Sequence, residues 1–340
     1  MSNSEVIREG VVGGRPGREA TVGVNQANGG DRRRRRGERP MVPPAEFRSY
    51  YGQPILNPPV WAELDIAGYL FLGGLAGASS LMAGAAALTG RRGLARSAKV
   101  ASAAAGVLAT GALVHDLGRP SRFYNMLRSF KPTSPMSVGS WLLAGFVPAA
   151  LGAAASDVTG RLPGVGVLAS GVAAGLGPAV ATYTAVLVSD TAVPAWHEGW
   201  RHIPVLFAGS ALTAAGGVGL IGAPLAQGGP PLALAAAGAA AELAAAHRMQ
   251  SGMGVVADAY NSGPARRMLR AGQALTAVGL AGGLASRRRS RLGSAASGLV
   301  LLAASACARF GIFRAGMESA GDPRYTVVPQ RERLSRRRSP

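Results

Sequence analysis

A handful of side chains in this sequence can move protons or grip a polar ligand. Tyr183, in GPAVATYTAVLVSDTAVPAW (177–196), sits inside an apolar run. Its phenol needs a hydrogen-bond partner, which a neighbouring helix or a ligand carbonyl would supply. His115 closes another apolar run and can donate to a ligand oxygen or shuttle a proton. Asp65, Asp116 and Asp190 lie at the ends of such runs, where headgroup water lowers the cost of charge; helix capping or an Arg partner would explain each equally well. Glu242 is different. It lies deep in LALAAAGAAAELAAAHRMQ (232–250) with no adjacent cation, so it must find a partner, reach a watery cavity or stay protonated. Proton handling and a satisfied interhelical hydrogen bond are its two readings.

The elements that must position these groups are membrane helices. Of the 340 residues 48 % are hydrophobic and 16 % charged, yet the net charge is +19. The cations gather at both ends and in short turns between long apolar runs, the pattern of a polytopic membrane protein. The expected fold class is all-α and integral to the membrane, with about eight transmembrane helices in two four-helix bundles and disordered basic tails. The spans read as 64–88, 98–114, 136–155, 165–188, 203–222, 232–249, 270–286 and 293–311, the last two forming a hairpin about SRRRSR (286–291). Residues 1–45 form a disordered basic tail, 46–320 the membrane domain and 321–340 a second basic tail. Gly73 and Gly77 make a GxxxG pair suited to close helix packing.

Eight spans place the loops 115–135, 189–202 and 250–269 on one side, here face A, and the remaining loops on face B. The acids and histidines Asp65, His115, Asp116, Asp190, His197, Glu198, His202, Glu242, His247 and Asp258 then fall towards face A, while face B carries Asp157 and cations. Lys and Arg are evenly divided between the two sets of loops, so charge bias does not orient the chain. Trp196 and Trp200 read as interfacial anchors.

Several classes are set aside. The tails DRRRRRGERP (31–40) and RERLSRRRSP (331–340) lack interleaved aromatics and flank a membrane core, so they are read as solvating the ends, orienting the chain or touching anionic lipid rather than binding nucleic acid. A single cysteine, Cys307, excludes an internal disulfide or a thiolate-ligated cluster. Two histidines on facing helices, His115 and His247, would be needed for a haem, and neither has a partner at a telling spacing. A transporter or channel without redox chemistry is the alternative function, drawing on helix-breaking Gly177-Pro178.

The loop HDLGRPSRFYNMLRSFKPTSPMSVGSW (115–141) carries the most information. Ser134-Pro135 reads as N-cap and first helical residue. Before it, RFYNMLRSFK (122–131) has the spacing of a short amphipathic interfacial segment presenting Arg119, Arg122, Arg128 and Lys131 to a docking partner.

This loop resembles the signature of the NrfD / polysulphide reductase membrane-subunit family. So do YYGQPILNPPVWAELDIAGYLFLGGLAGASSL (50–81), TYTAVLVSDTAVPAW (182–196) and RHIPVLFAGSALTAAGG (201–217), with Ala185 standing where a glycine is expected. The resemblance covers roughly residues 50–320. It implies a quinone-reactive anchor in a bacterial cytoplasmic membrane, docked by a four-cluster iron–sulfur, ferredoxin-like subunit and a molybdopterin catalytic subunit of the formate dehydrogenase or polysulphide reductase kind. It implies that Tyr183 is the quinone-site tyrosine, with His115, Asp116 and the stretch from Asn57 to Asp65 in the same region, and an exchangeable quinone such as menaquinone as the cofactor. Read with the residues themselves, Asp65 and Asp116 would tune or relay protons and Glu242 would belong to a proton path. The chain itself has no evident means of holding an electron-transferring metal or flavin.

Overall fold

The computed structural model describes residues 55–338, together with the backbone of a short antiparallel hairpin, Glu5–Ile7 against Gly10–Val12. The rest of the expected N-terminal tail, 1–45, lies outside the described residues. The chain divides into two units, Val60–Gly316 and a smaller one made of Met1–Pro59 and Met317–Pro340.

Eight long helices build the larger unit: α1 (Glu63–Leu88), α2 (Arg92–Asp116), α3 (Pro135–Thr159), α4 (Pro163–Ser189), α5 (Ile203–Gly222), α6 (Gly229–Gly252), α7 (Gly263–Ser286) and α8 (Arg291–Gly321). Seven of them, all except α7, are long and apolar enough to cross a membrane. The protein is therefore a multi-pass membrane protein. Helix α7 has the length but carries Arg266, Arg267 and Arg270 in its first turns.

Each expected span coincides with a helix, seven of them with one long and apolar enough to cross a membrane, and most are short at their ends. Helix α2 starts at Arg92 rather than 98, α7 at Gly263 rather than 270, and α8 runs on to Gly321 rather than 311. An apolar run marks only the hydrocarbon-facing part of a helix, whereas hydrogen bonding continues into the polar headgroup layer, where Arg and Lys are welcome. The start of α3 is as expected: Ser134 Oγ accepts from the Ser137 amide at 3.4 Å, with Pro135 leading the helix. The segment expected to be amphipathic over 122–131 is helical only over Pro120–Met126 and then becomes irregular, held by Ser137 Oγ donating to the Ser129 carbonyl at 3.2 Å.

Many large aliphatic side chains point outward, among them Leu108, Val167, Leu168, Val278 and Leu299, while Ala, Gly and Ser supply much of the interior. Lipid gives apolar helices no reason to associate, so close backbone approach and interhelical hydrogen bonds must hold them together. At the α1/α4 crossing a Cβ on Gly77 would collide with the backbone of Gly177 and Ala181. Beside it, Ser80 Oγ donates to the Ala173 carbonyl at 3.0 Å.

Face B is stitched by charge. Lys99 Nζ of α2 meets Asp157 Oδ1 of α3 at 2.9 Å, both side chains mostly buried. Arg291 donates to the Ala223 and Leu220 carbonyls at 2.7 and 3.2 Å and to Ile221, closing the C-terminal end of α5. Lys99→Ala strands a half-buried carboxylate and lowers stability by about 1–3 kcal/mol. Thermal unfolding of Lys99→Ala, Asp157→Ala and the double variant checks this; strict additivity of the two single losses would show that the pair does not interact.

In the smaller unit the C-terminal tail is helical over Arg324–Arg338, not disordered as expected. Asp322 Oδ1 accepts from the Arg324 amide at 2.9 Å, satisfying a free donor at the helix start, and Pro323 precedes the first turn.

Candidate functional site

The face-A ends of the helices meet at a buried tryptophan. Trp196, in the one-turn helix Pro194–Glu198, is fully buried. It stacks on Trp61 at 5.7 Å, lies 5.8 Å from Phe313, and donates from Nε1 to the Ile312 carbonyl at 2.8 Å. Tyr260 Oη donates to the Ala195 carbonyl at 2.8 Å, and burial pushes its phenol above the usual tyrosine range, which keeps it a donor. Trp196 is thus a core residue and not an interfacial anchor: its indole N–H finds a carbonyl inside the fold. Trp200 is exposed, with Arg201 over its ring at 4.9 Å, as an anchor should be.

Beside this hub the structure brings together Asp65 and His115. His115 Nδ1 lies 2.8 Å from Asp65 Oδ2; the ring is largely exposed and the carboxylate largely covered. Asp116 has a definite structural task. Its Oδ1 accepts from the Ala62 amide at 3.2 Å, which satisfies a free donor at the start of α1.

One turn further in along α1 stands Tyr69, and its ring meets that of Tyr183 edge-on at 6.3 Å. Tyr183 packs against Gly139 of α3, where any Cβ would overlap the ring. The Tyr183 hydroxyl is buried and has no hydrogen-bond partner among the described residues; the same holds for Thr184 Oγ1 and Ser189 Oγ. A buried phenol without a partner is costly. Two pairs therefore lie along the face-A half of α1: Asp65 with His115 at its start and, one turn further in, Tyr69 against Tyr183 with its unspent donor. Helical spacing made Tyr69 findable, four residues after Asp65 on the same side of α1. Asn57 belongs to the smaller unit.

A second polar locus lies deeper. Arg309 of α8 is fully buried; its guanidinium sits 3.7 Å from the centre of the Phe207 ring and donates from Nη2 to the Phe207 carbonyl at 2.6 Å. Gly74 of α1 leaves the room for it. Nε and Nη1 have no hydrogen-bond partner among the described residues. Glu242 of α6 is the acid within electrostatic reach of this cation. It lies ten residues, about 15 Å, from the face-A end of its helix. The sequence analysis singles out the acid and not the cation, which lies within the expected span 293–311. The usable signal was the apolar residues on both sides of it in CARFGIF (307–313).

Arg119, Arg122, Arg128 and Lys131 are all exposed on the face-A loop, with Tyr124 and Phe130 exposed among them. His247 is exposed on α6.

These features define a class: a multi-pass membrane protein with its titratable groups gathered towards one face and a cationic loop beside them. The polysulphide reductase, NrfD family profile matches residues 53–229, just over half the chain, and the chain belongs to that family. Its members are membrane subunits of oxidoreductase complexes, and this chain is one. No curated protein matches it closely enough to stand as a relative.

Proposed function

We propose that this chain is the quinone-reactive subunit of a multi-subunit oxidoreductase in a bacterial cytoplasmic membrane. The observation that carries the reading is the buried Tyr183 hydroxyl without a partner, with the Tyr69 ring edge-on beside it and the Asp65–His115 pair one turn nearer face A. A quinone carbonyl meets that unspent donor, so the residues present fit the group. Bound quinone supplies two-electron, two-proton exchange.

The chain's own residues do the rest. Tyr183 holds a carbonyl oxygen by donating to it, in a site dry enough for one hydrogen bond to orient the ligand. The Asp65–His115 pair takes up and releases protons at the water-facing end, with Asp116 beside it. Asn57 lines the approach by family resemblance. Glu242, facing Arg309, offers a protonatable group at membrane depth. Menaquinone is the quinone we favour. A four-cluster iron–sulfur subunit, seated on Arg119, Arg122, Arg128 and Lys131, would connect the site to a molybdopterin catalytic subunit of the formate dehydrogenase or polysulphide reductase kind.

Helix α7 is best taken as an eighth crossing, completing two groups of four helices. It runs beside α8 for its full length, from Gly293 against Ser286 to Gly311 against Leu269. The first and last long helices also begin and end on one face, since Arg314 Nε donates to Glu63 Oε1 at 2.5 Å.

The test is fluorescence quenching of a menaquinone-analogue inhibitor by the purified full-length protein. The native chain should bind saturably, and Tyr183→Phe should weaken binding by roughly threefold to tenfold, the weight of one hydrogen bond. Native protein that is folded but does not bind, or equal affinity in Tyr183→Phe, refutes the assignment.

A further inference from the structure

On the outer surface near face B, a groove of about 450 Å³ runs between α2 and α5. Arg96 and Ser97 stand at its face-B end, and Val100, Ala101, Ala104, Val218, Ile221 and Gly222 line it. The two helices touch beside it through small residues: a Cβ on Gly222 would strike Ser97, and one on Gly219 would meet Leu94. That contact is confined to the face-B end, so the groove opens alongside it towards the membrane interior.

The lining has a direction. Beyond Ser97, whose hydroxyl is turned back to the Gly93 carbonyl at 3.0 Å, the α2 wall is apolar through Val100, Ala101 and Ala104, about 10 Å, and small enough to leave a trough. Two other face-B cations are spent within the fold. Lys99 is neutralised by Asp157, and Arg291 is spent on the carbonyls of α5. Arg96 is exposed and makes no hydrogen bond or ion pair among the described residues, although its stem lines the groove. A cation at the headgroup level above an apolar trough is complementary to one kind of molecule, a lipid with an anionic head and a hydrocarbon tail.

We propose that this groove is a binding site for one anionic phospholipid, its phosphate paired with Arg96 and an acyl chain laid along Val100, Ala104 and Val218. The bound lipid fills the seam between α2, which ends in His115, and α5, which carries the Phe207 carbonyl that holds Arg309. It thereby acts as a staple between helices that bear the two polar loci. The proposal does not depend on the quinone reading.

Purified full-length protein is delipidated and returned to nanodiscs of phosphatidylglycerol or of phosphatidylcholine, and retained lipid is read by native mass spectrometry after mild ejection. One phosphatidylglycerol per chain should be retained, and thermal stability should rise in phosphatidylglycerol over phosphatidylcholine. Arg96→Gln should reduce retention about fivefold and abolish the difference in stability. Ala104→Trp, which fills the trough and leaves Arg96 in place, should do the same. Equal retention of phosphatidylcholine, or unchanged phosphatidylglycerol retention in Arg96→Gln, overturns the proposal. So does an Ala101→Cys side chain that stays shielded from a membrane-soluble maleimide in phosphatidylcholine alone, because a protein segment would then be the occupant. Inhibitor binding at the Tyr183 site, measured in parallel, fails or survives separately.

Discussion

Trp196→Ala lowers the melting temperature of the detergent-solubilised protein by roughly 10 °C. The substitution empties a fully buried site on which Trp61, Phe313 and the Ile312 carbonyl converge. Truncating a buried Trp costs about 3–5 kcal/mol, and each kcal/mol is worth about 2–4 °C in a chain of this size. The loss is large because Trp196 joins segments distant in sequence: the residues before α1, the connection between α4 and α5, and the end of α8. Trp196→Phe keeps the ring stack and removes the bond to the Ile312 carbonyl, so its cost should be about 1 kcal/mol. Scanning fluorimetry of the two variants beside the native protein decides the matter. A shift of under about 2 °C for the alanine variant would mean that the face-A ends are held together elsewhere.

The architecture was legible where a single physical demand ruled the sequence. Hydrocarbon requires long uninterrupted helices, so the apolar runs marked the seven helices able to cross it, and also α7, which is long but falls short of that apolarity. The same logic could not mark helix ends. Whether Arg92 or Arg266 continues a helix is decided by the headgroup layer and by capping, and apolar periodicity is silent there. The C-terminal residues were misread for a related reason. A run rich in Arg looks solvated on composition, yet Arg is a good helix former and Asp322 supplies the start.

The site was legible in part. Residues at span ends that share a face are forced towards one another by the antiparallel course of the helices, which is why Asp65 and His115 meet at 2.8 Å although fifty positions apart. Tyr183 was singled out by its one polar atom in an apolar run, and it is indeed buried. Arg309 and Trp196 escaped because both residue types are common at membrane interfaces. Only tertiary packing tells which of them turn inward: a glycine at position 74 opening space for a guanidinium, and a carbonyl at position 312 awaiting an indole. Likewise nothing local announces that Asp116 spends its carboxylate on the amide of Ala62.

Gly77→Val should abolish inhibitor binding at the proposed quinone site and sharply reduce the yield of folded protein. The added side chain would enter the backbone of Gly177 and Ala181, and backbone has no rotamer into which to retreat. Helices α1 and α4 must then separate or rotate. Overpacking of this kind typically costs about 1–3 kcal/mol where side chains can yield, and more where they cannot. The functional loss follows from the same displacement. Tyr69 lies on α1 two turns before Gly77, and Tyr183 on α4 two residues after Ala181, so the crossing sets their 6.3 Å ring separation. Shifting it moves the Tyr183 hydroxyl relative to Asp65 and His115 without altering any of these side chains. Gly77→Ala should fall between native and Gly77→Val in both readouts. Gly171→Ala, on the outer side of α4 with open space around it, should leave binding unchanged and add up to about 1 kcal/mol of stability through helix propensity. Size-exclusion profiles of the detergent-solubilised variants, followed by inhibitor titration of each folded fraction, separate the two effects. Native affinity in the folded fraction of Gly77→Val would show that the α1/α4 crossing holds the helices together without setting the site.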